Sequence, residues 1–156
     1  MLEGIGKLIF DPNDVTNKHI KQSGWKKTAI LFLNDDTEDL YRYFVRRRYN
    51  IDLNKTLRGS HITIINDKFN DDNKWNMVKE KYNKMELSFQ YNPADVRTDG
   101  AHWWIKVQSN DALFIRNELG LGTPYFGLHL TLGYVPDVPH RLEHSNYIHR
   151  IIQRFE

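Results

Sequence analysis

The chain has 156 residues, a mass of 18.6 kDa, a formal charge of +2, a pI near 8.7 and no cysteine. This length fits one domain that buries a core without disulfides or structural metal, and the missing cysteines exclude thiolate nucleophiles, Cys-bound zinc and iron–sulfur ligation. The mildly basic balance is too small to indicate a long nucleic-acid footprint but suits a local pocket for a small polyanion, and no run approaches the ~20 apolar residues that cross a bilayer.

In chain order, Lys7 to Phe10 reads as a short strand ended by the turn-forming Asp11-Pro12-Asn13-Asp14. Thr28 to Leu33 reads as a buried strand. Asn34-Asp35-Asp36 then opens a helix to about Arg48, with Leu40, Tyr41, Phe44 and Val45 as its expected apolar stripe. A loop with Arg58-Gly59-Ser60 leads to a strand over Ser60 to Ile65. Asn70 to Asn73 caps a second helix through Tyr82, with Trp75, Val78 and Tyr82 facing inward. Strands near Met85 to Tyr91 and Ala101 to Val107 are joined by a loop ending in Asp99-Gly100. A third helix, Asp111 to Leu119, stops at Gly120, and a strand follows over Gly127 to Val135. Pro136 and Pro139 break that strand, and Glu143 to Phe155 reads as a terminal helix. The order outlines an α+β fold with an internal duplication in one domain over residues 1–156, lobe one roughly 1–83 and lobe two roughly 84–156.

Two strands carry one pattern, His-apolar-Thr-apolar: His61-Ile62-Thr63-Ile64 and His129-Leu130-Thr131-Leu132. With seven His in the chain, such a pair arises by chance on the order of once in a thousand chains of this make-up. Residues two apart on a strand share a face, so in each copy His and Thr point one way and the apolar residues point into a core. Two such strands side by side offer two imidazoles and two hydroxyls to one cleft. Imidazole titrates near ~6.5, so one ring can be neutral and the other charged near neutral pH, the division of labour of a general base and a general acid. Either histidine can be the base. Thr63 and Thr131 are the expected anchors for phosphate oxygens.

On these two motifs the sequence resembles the 2H phosphoesterase superfamily, the LigT-like proteins with one His-x-Thr/Ser-x motif per lobe. The 67 residues between His61 and His129, with Arg58 before the first motif and Phe126 before the second, suit that layout. The resemblance implies a bilobal pseudo-twofold fold, antiparallel sheets meeting at a central cleft with helices outside. It also implies action on 2′,3′-cyclic phosphates, RNA ends, 2′-5′ oligoadenylates or, in bacterial viruses, the cyclic oligonucleotides that signal infection.

The expected activity is a metal-independent phosphodiesterase that cleaves small ribonucleotides, with His61, Thr63, His129 and Thr131 as catalytic residues. A viral relative would use it to evade host defence. The alternatives are a non-catalytic nucleotide-binding sponge and a ligase-type enzyme of RNA ends. No cofactor, metal, membrane or obligate protein partner is expected, and the expected location is the cytoplasm, that of the host for a viral protein.

Among further candidates, His102, Trp104 and Lys106 share a strand face opposite Trp103, Ile105 and Val107. If that face lines the cleft, Trp104 stacks on a base and Lys106 meets phosphate; otherwise it is a solvent stripe. Tyr125 and Phe126 are candidate pocket residues, with Phe126 better placed to anchor its strand. Arg46-Arg47-Arg48 reads as a solvated helix face or a phosphate contact. His140, His144 and His149 lack the spacing and the acidic companions of a metal site.

Overall fold

The computed structural model describes residues 1–12, 27–33, 37–55 and 59–135. In chain order these form β1 (Leu2–Phe10), β2 (Ala29–Phe32), α1 (Thr37–Tyr49), β3 (His61–Ile65), α2 (Asp72–Tyr82), β4 (Glu86–Thr98), β5 (His102–Gln108), α3 (Asn110–Glu118) and β6 (Leu128–Tyr134). A strand-strand-helix-strand unit therefore occurs twice, with α2 between the copies. The expected terminal helix, Arg58 and the three histidines after Pro136 lie outside the described residues.

The class is α+β, as expected. The six strands pair antiparallel in the order β1-β2-β3-β6-β5-β4 and close into a barrel. The two expected sheets are thus joined through β3 with β6 on one side and β1 with β4 on the other. The second seam is long, running from Leu2 opposite Tyr91 to Lys7 opposite Glu86. It permits close approach because Gly4 faces Phe89: a Cβ at Gly4 would lie 2.3 Å from the Phe89 ring.

Alternation on the strands separates two faces. One face buries Leu8, Leu31, Ile62, Leu130, Ile105 and Phe89 in a cluster that also takes Val45 of α1, Trp75 and Val78 of α2, and Ile115 of α3. Each of these apolar side chains contributes roughly 1.5–3 kcal/mol by leaving water. On the opposite face Ile9 and Ile30 form a small second cluster with Phe32.

The helices show why each sits where it does. Asp71 caps α2 by accepting from the Lys74 amide at 3.0 Å, and Trp75, Val78 and Tyr82 are buried, as their spacing predicts. Ser109 caps α3 by accepting from the Ala112 amide at 3.1 Å, and Gly120, at φ +72°, stands where the helix ends.

In α1 the expected stripe is corrected. Tyr41 and Val45 are buried, but Leu40 and Phe44 are about half exposed. The helix is turned so that Glu38 is buried beside Arg42, with which it pairs, while the Arg42 guanidinium also donates to the Leu132 carbonyl at 2.8 Å. Leu132 is the extra residue of a bulge in β6, since Trp103 pairs with Gly133 and Trp104 with Thr131.

The loop expected between β4 and β5 is mostly strand. A register shift between Tyr91 and Val96 absorbs Pro93, which has no amide to donate, and pairing resumes to Thr98 opposite Trp103. The turn itself is the expected one, with Asp99 Oδ1 accepting from the amides of Ala101 and His102 at 2.9 and 2.7 Å. No helix among the described residues is long and apolar enough to cross a membrane.

Candidate active site

The two motif strands are neighbours, and one register pair sets their relation: Ile62 stands opposite Leu130, both buried. Antiparallel pairing about that point puts His61 opposite Thr131 and Thr63 opposite His129. All four side chains are half-buried and project from the face opposite the main core. The quartet is a parallelogram with histidines on one diagonal and threonines on the other, and diagonal neighbours across such a pair are about 7–8 Å apart. That separation leaves room for a phosphate between the rings, approached from opposite sides.

Neighbouring strands extend the quartet into two rows. One row runs Trp104, Thr131, His61, Phe32, Lys7, and the other runs Lys106, His129, Thr63, Ile30, Ile9. Trp104 and Lys106 therefore share the motif face. The Trp104 and His129 rings meet edge-on at 6.4 Å, and the Lys106 side chain is exposed beside them. His102, in the second register pair past the bulge, lies opposite Tyr134, with its Nδ1 3.4 Å from Asp99.

His61 has a defined tautomer. Its Nδ1 lies 2.8 Å from the Gly59 carbonyl, which can only accept, so Nδ1 carries a proton and the lone pair of the neutral ring falls on Nε2. Gly59, at φ +75°, turns the chain just before β3.

Tyr125 and Phe126 precede β6 and are 93% and 87% exposed, their rings edge-on at 4.8 Å. Phe126 does not anchor the strand; Leu128, buried in the main cluster, does so. The arginine run is on the other side of the sheet from the motifs, because α1 packs its Tyr41 and Val45 into the main core. Arg46 pairs with Asp52 at 3.2 Å and Arg48 lies over the Tyr49 ring at 5.5 Å.

Sequence reading missed the residue that ties α3 to the first motif strand. Arg116 of α3 is 1% exposed. Its guanidinium donates to the Ile64 carbonyl at 2.9 Å and the Asp67 carboxylate at 2.8 and 3.1 Å, just past β3, and to the Gly122 carbonyl at 2.6 Å, ahead of β6. The bidentate bond to Arg116 is the largest influence holding the Asp67 carboxyl below the ordinary carboxylate range, against partial burial. The available signal was its spacing: Ala112, Ile115, Arg116 and Leu119 occupy one helical stripe, which put an arginine among core residues. Phe32 and Ile30, the neighbours of His61 and Thr63, were missed because Ala29 to Phe32 is apolar throughout and shows no alternation.

Comparison with models of known protein families, with curated proteins and with solved structures finds no match to this chain.

Proposed function

We propose that this chain is a metal-independent phosphodiesterase of the 2H type, with a bilobal pseudo-twofold relation between its halves, acting on small ribonucleotides. Its substrates would be cyclic oligonucleotide or 2′-5′ oligoadenylate signals, or 2′,3′-cyclic phosphates. In a virus this activity would serve evasion of nucleotide-based host defence. One observation carries the reading: the register of Ile62 with Leu130 brings the two His-x-Thr motifs, 67 residues apart, onto one face as a single quartet.

The chemistry follows from that quartet. For a 3′-5′ bond, a neutral imidazole takes the proton of the ribose 2′-hydroxyl, whose oxygen attacks phosphorus. The bond from phosphorus to the 5′-oxygen breaks, and the opposite imidazolium gives that oxygen its proton. The product is a 2′,3′-cyclic phosphate, and each histidine now holds the protonation state the other had. Water can then open the ring with the roles reversed. For a 2′-5′ bond the 3′-hydroxyl attacks instead. Thr63 and Thr131, on the second diagonal, donate to the non-bridging oxygens as charge develops. Phe32 and Trp104 border the quartet with apolar surface, Lys106 supplies a cation for phosphate, and Tyr125 and Phe126 offer exposed rings on which a base can stack.

The test incubates the protein in EDTA with cyclic di- and trinucleotides, 2′-5′ and 3′-5′ oligoadenylates and 2′,3′-cyclic nucleotides, reading products by mass spectrometry. Cleavage is expected without metal, with a bell-shaped pH profile and resistance of all-deoxy analogues. His61→Ala and His129→Ala should each lower kcat by about 10²–10⁴-fold. Cleavage that survives both variants, or stops in EDTA, overturns the mechanism. Stoichiometric binding with no turnover of any substrate replaces it with a sponge.

A further inference from the structure

The motif face does not stop at His61. Across β2 and β1 the same face borders a cavity of about 740 Å³, with Ile9 and Phe32 in its apolar lining and Lys7, Lys79, Lys84, Asp11 and Glu86 in its charged lining. Phe32 belongs to both places: it is the register neighbour of His61 on one side and of Lys7 on the other. Lys7 is thus two strands from His61, about 10 Å away at the usual strand spacing. The volume lies within the roughly 300–1,000 Å³ of small-ligand sites.

The charges of the cavity are unevenly engaged. Asp11 accepts from the Lys79 ammonium at 2.9 Å and from Trp75 Nε1 at 3.1 Å, so that pair is internally compensated. The ammonium groups of Lys7 and Lys84 make no hydrogen bond or ion pair among the described residues, and Glu86, opposite Lys7 in register, forms no ion pair with it. Apolar lining beside two uncommitted cations, which outnumber the one uncommitted carboxylate, Glu86, suits a flat aromatic ring that carries an anionic phosphate.

We propose that this cavity is a second nucleotide subsite. It takes the base of the unit next to the scissile phosphate against Ile9 and Phe32 and the following phosphate on Lys7 and Lys84. The inference rests on the phosphodiesterase reading and narrows its substrate class: the preferred substrate is an oligonucleotide with phosphates on both sides of the reacting ribose. A 2′,3′-cyclic mononucleotide fills only the quartet.

The double variant Lys7→Gln, Lys84→Gln removes both charges while keeping polar side chains and tests the subsite by two readouts. The first is the ratio of kcat/KM for triadenylate, in the linkage the enzyme cleaves, to that for 2′,3′-cyclic AMP; a fall of about tenfold is expected, carried by KM. The second is binding of 2′-5′ and 3′-5′ triadenylates whose attacking hydroxyls are O-methylated, measured by fluorescence anisotropy. The variant should bind about tenfold more weakly, with a salt dependence shallower by about 0.7 per lost phosphate contact.

An unchanged ratio and unchanged binding overturn the subsite while leaving the activity intact. Absence of all cleavage, with binding still lost in the variant, overturns the phosphodiesterase reading and keeps the subsite. Absence of binding in the wild type overturns the subsite whatever is cleaved.

Discussion

Arg116 is the side chain whose loss the protein should tolerate least. Removing it leaves the carbonyls of Ile64 and Gly122 without their donor and the Asp67 carboxylate without its partner. Leaving each of those carbonyls without its donor costs about 1–3 kcal/mol, while the partly exposed Asp67 carboxylate is re-solvated. Arg116→Ala should therefore lower the urea midpoint sharply at unchanged m-value; a shift near zero would mean that the guanidinium does not brace the fold. Asp67→Asn is the milder change, because that side chain is 38% exposed and solvent screens the pair. Its pH dependence has a definite sign. A carboxyl held below its ordinary value contributes stability above the unfolded pKa near ~3.9 and loses it as pH falls through the lower folded value. The Tm gap between wild type and Asp67→Asn should thus be open at pH 6 and close as the solution is acidified below about 4. At this scale the motif residues were legible because His and Thr repeat with strand period. Arg116 was not, since its role depends on carbonyls from segments 52 and 6 residues away.

Among the elements, α2 was readable throughout, because its cap and its buried side chains are all local features. Asp71→Ala should cost about 1 kcal/mol of stability. The first helix was read with the right length and the wrong rotation. Its sequence offers two overlapping apolar stripes, and the choice between them is made by Arg42, which reaches the carbonyl of a bulged residue in β6 that no local pattern announces. The correction is measurable. Val45→Ala, at a side chain 2% exposed, should cost about 2 kcal/mol. Leu40→Ala, at one 52% exposed, should cost under about 0.5 kcal/mol by the same denaturation assay. Equal losses would restore the original stripe. The β4 extension was missed for a related reason: Pro93 signals a break, and only a partner strand shows that pairing resumes beyond it.

At the scale of the whole molecule, the strand pattern announced six sheet segments but not their closure, since contact between β1 and β4 has no local signature. That closure depends on Gly4. Alanine there drives a Cβ into the Phe89 ring, which is 2% exposed and has no room to yield. Gly4→Ala should cost about 1–3 kcal/mol, and a neutral outcome in thermal unfolding would mean that the seam is looser than its register implies. The other seam, where β3 meets β6, has a different consequence. An antiparallel pair looks the same after half a turn, and His61, Thr63, His129 and Thr131 obey that operation about the centre between Ile62 and Leu130. The quartet therefore has no arrow: a nucleotide chain threaded in either direction would meet the same four groups. Direction has to be imposed by what flanks them, and the flanks are unlike, Phe32 on one side and Lys106 with Trp104 on the other. On the proposed phosphodiesterase reading, polarity, from the 5′ end or from the 3′ end, would thus be a property of these neighbours, separable from the quartet and open to reversal by exchanging them.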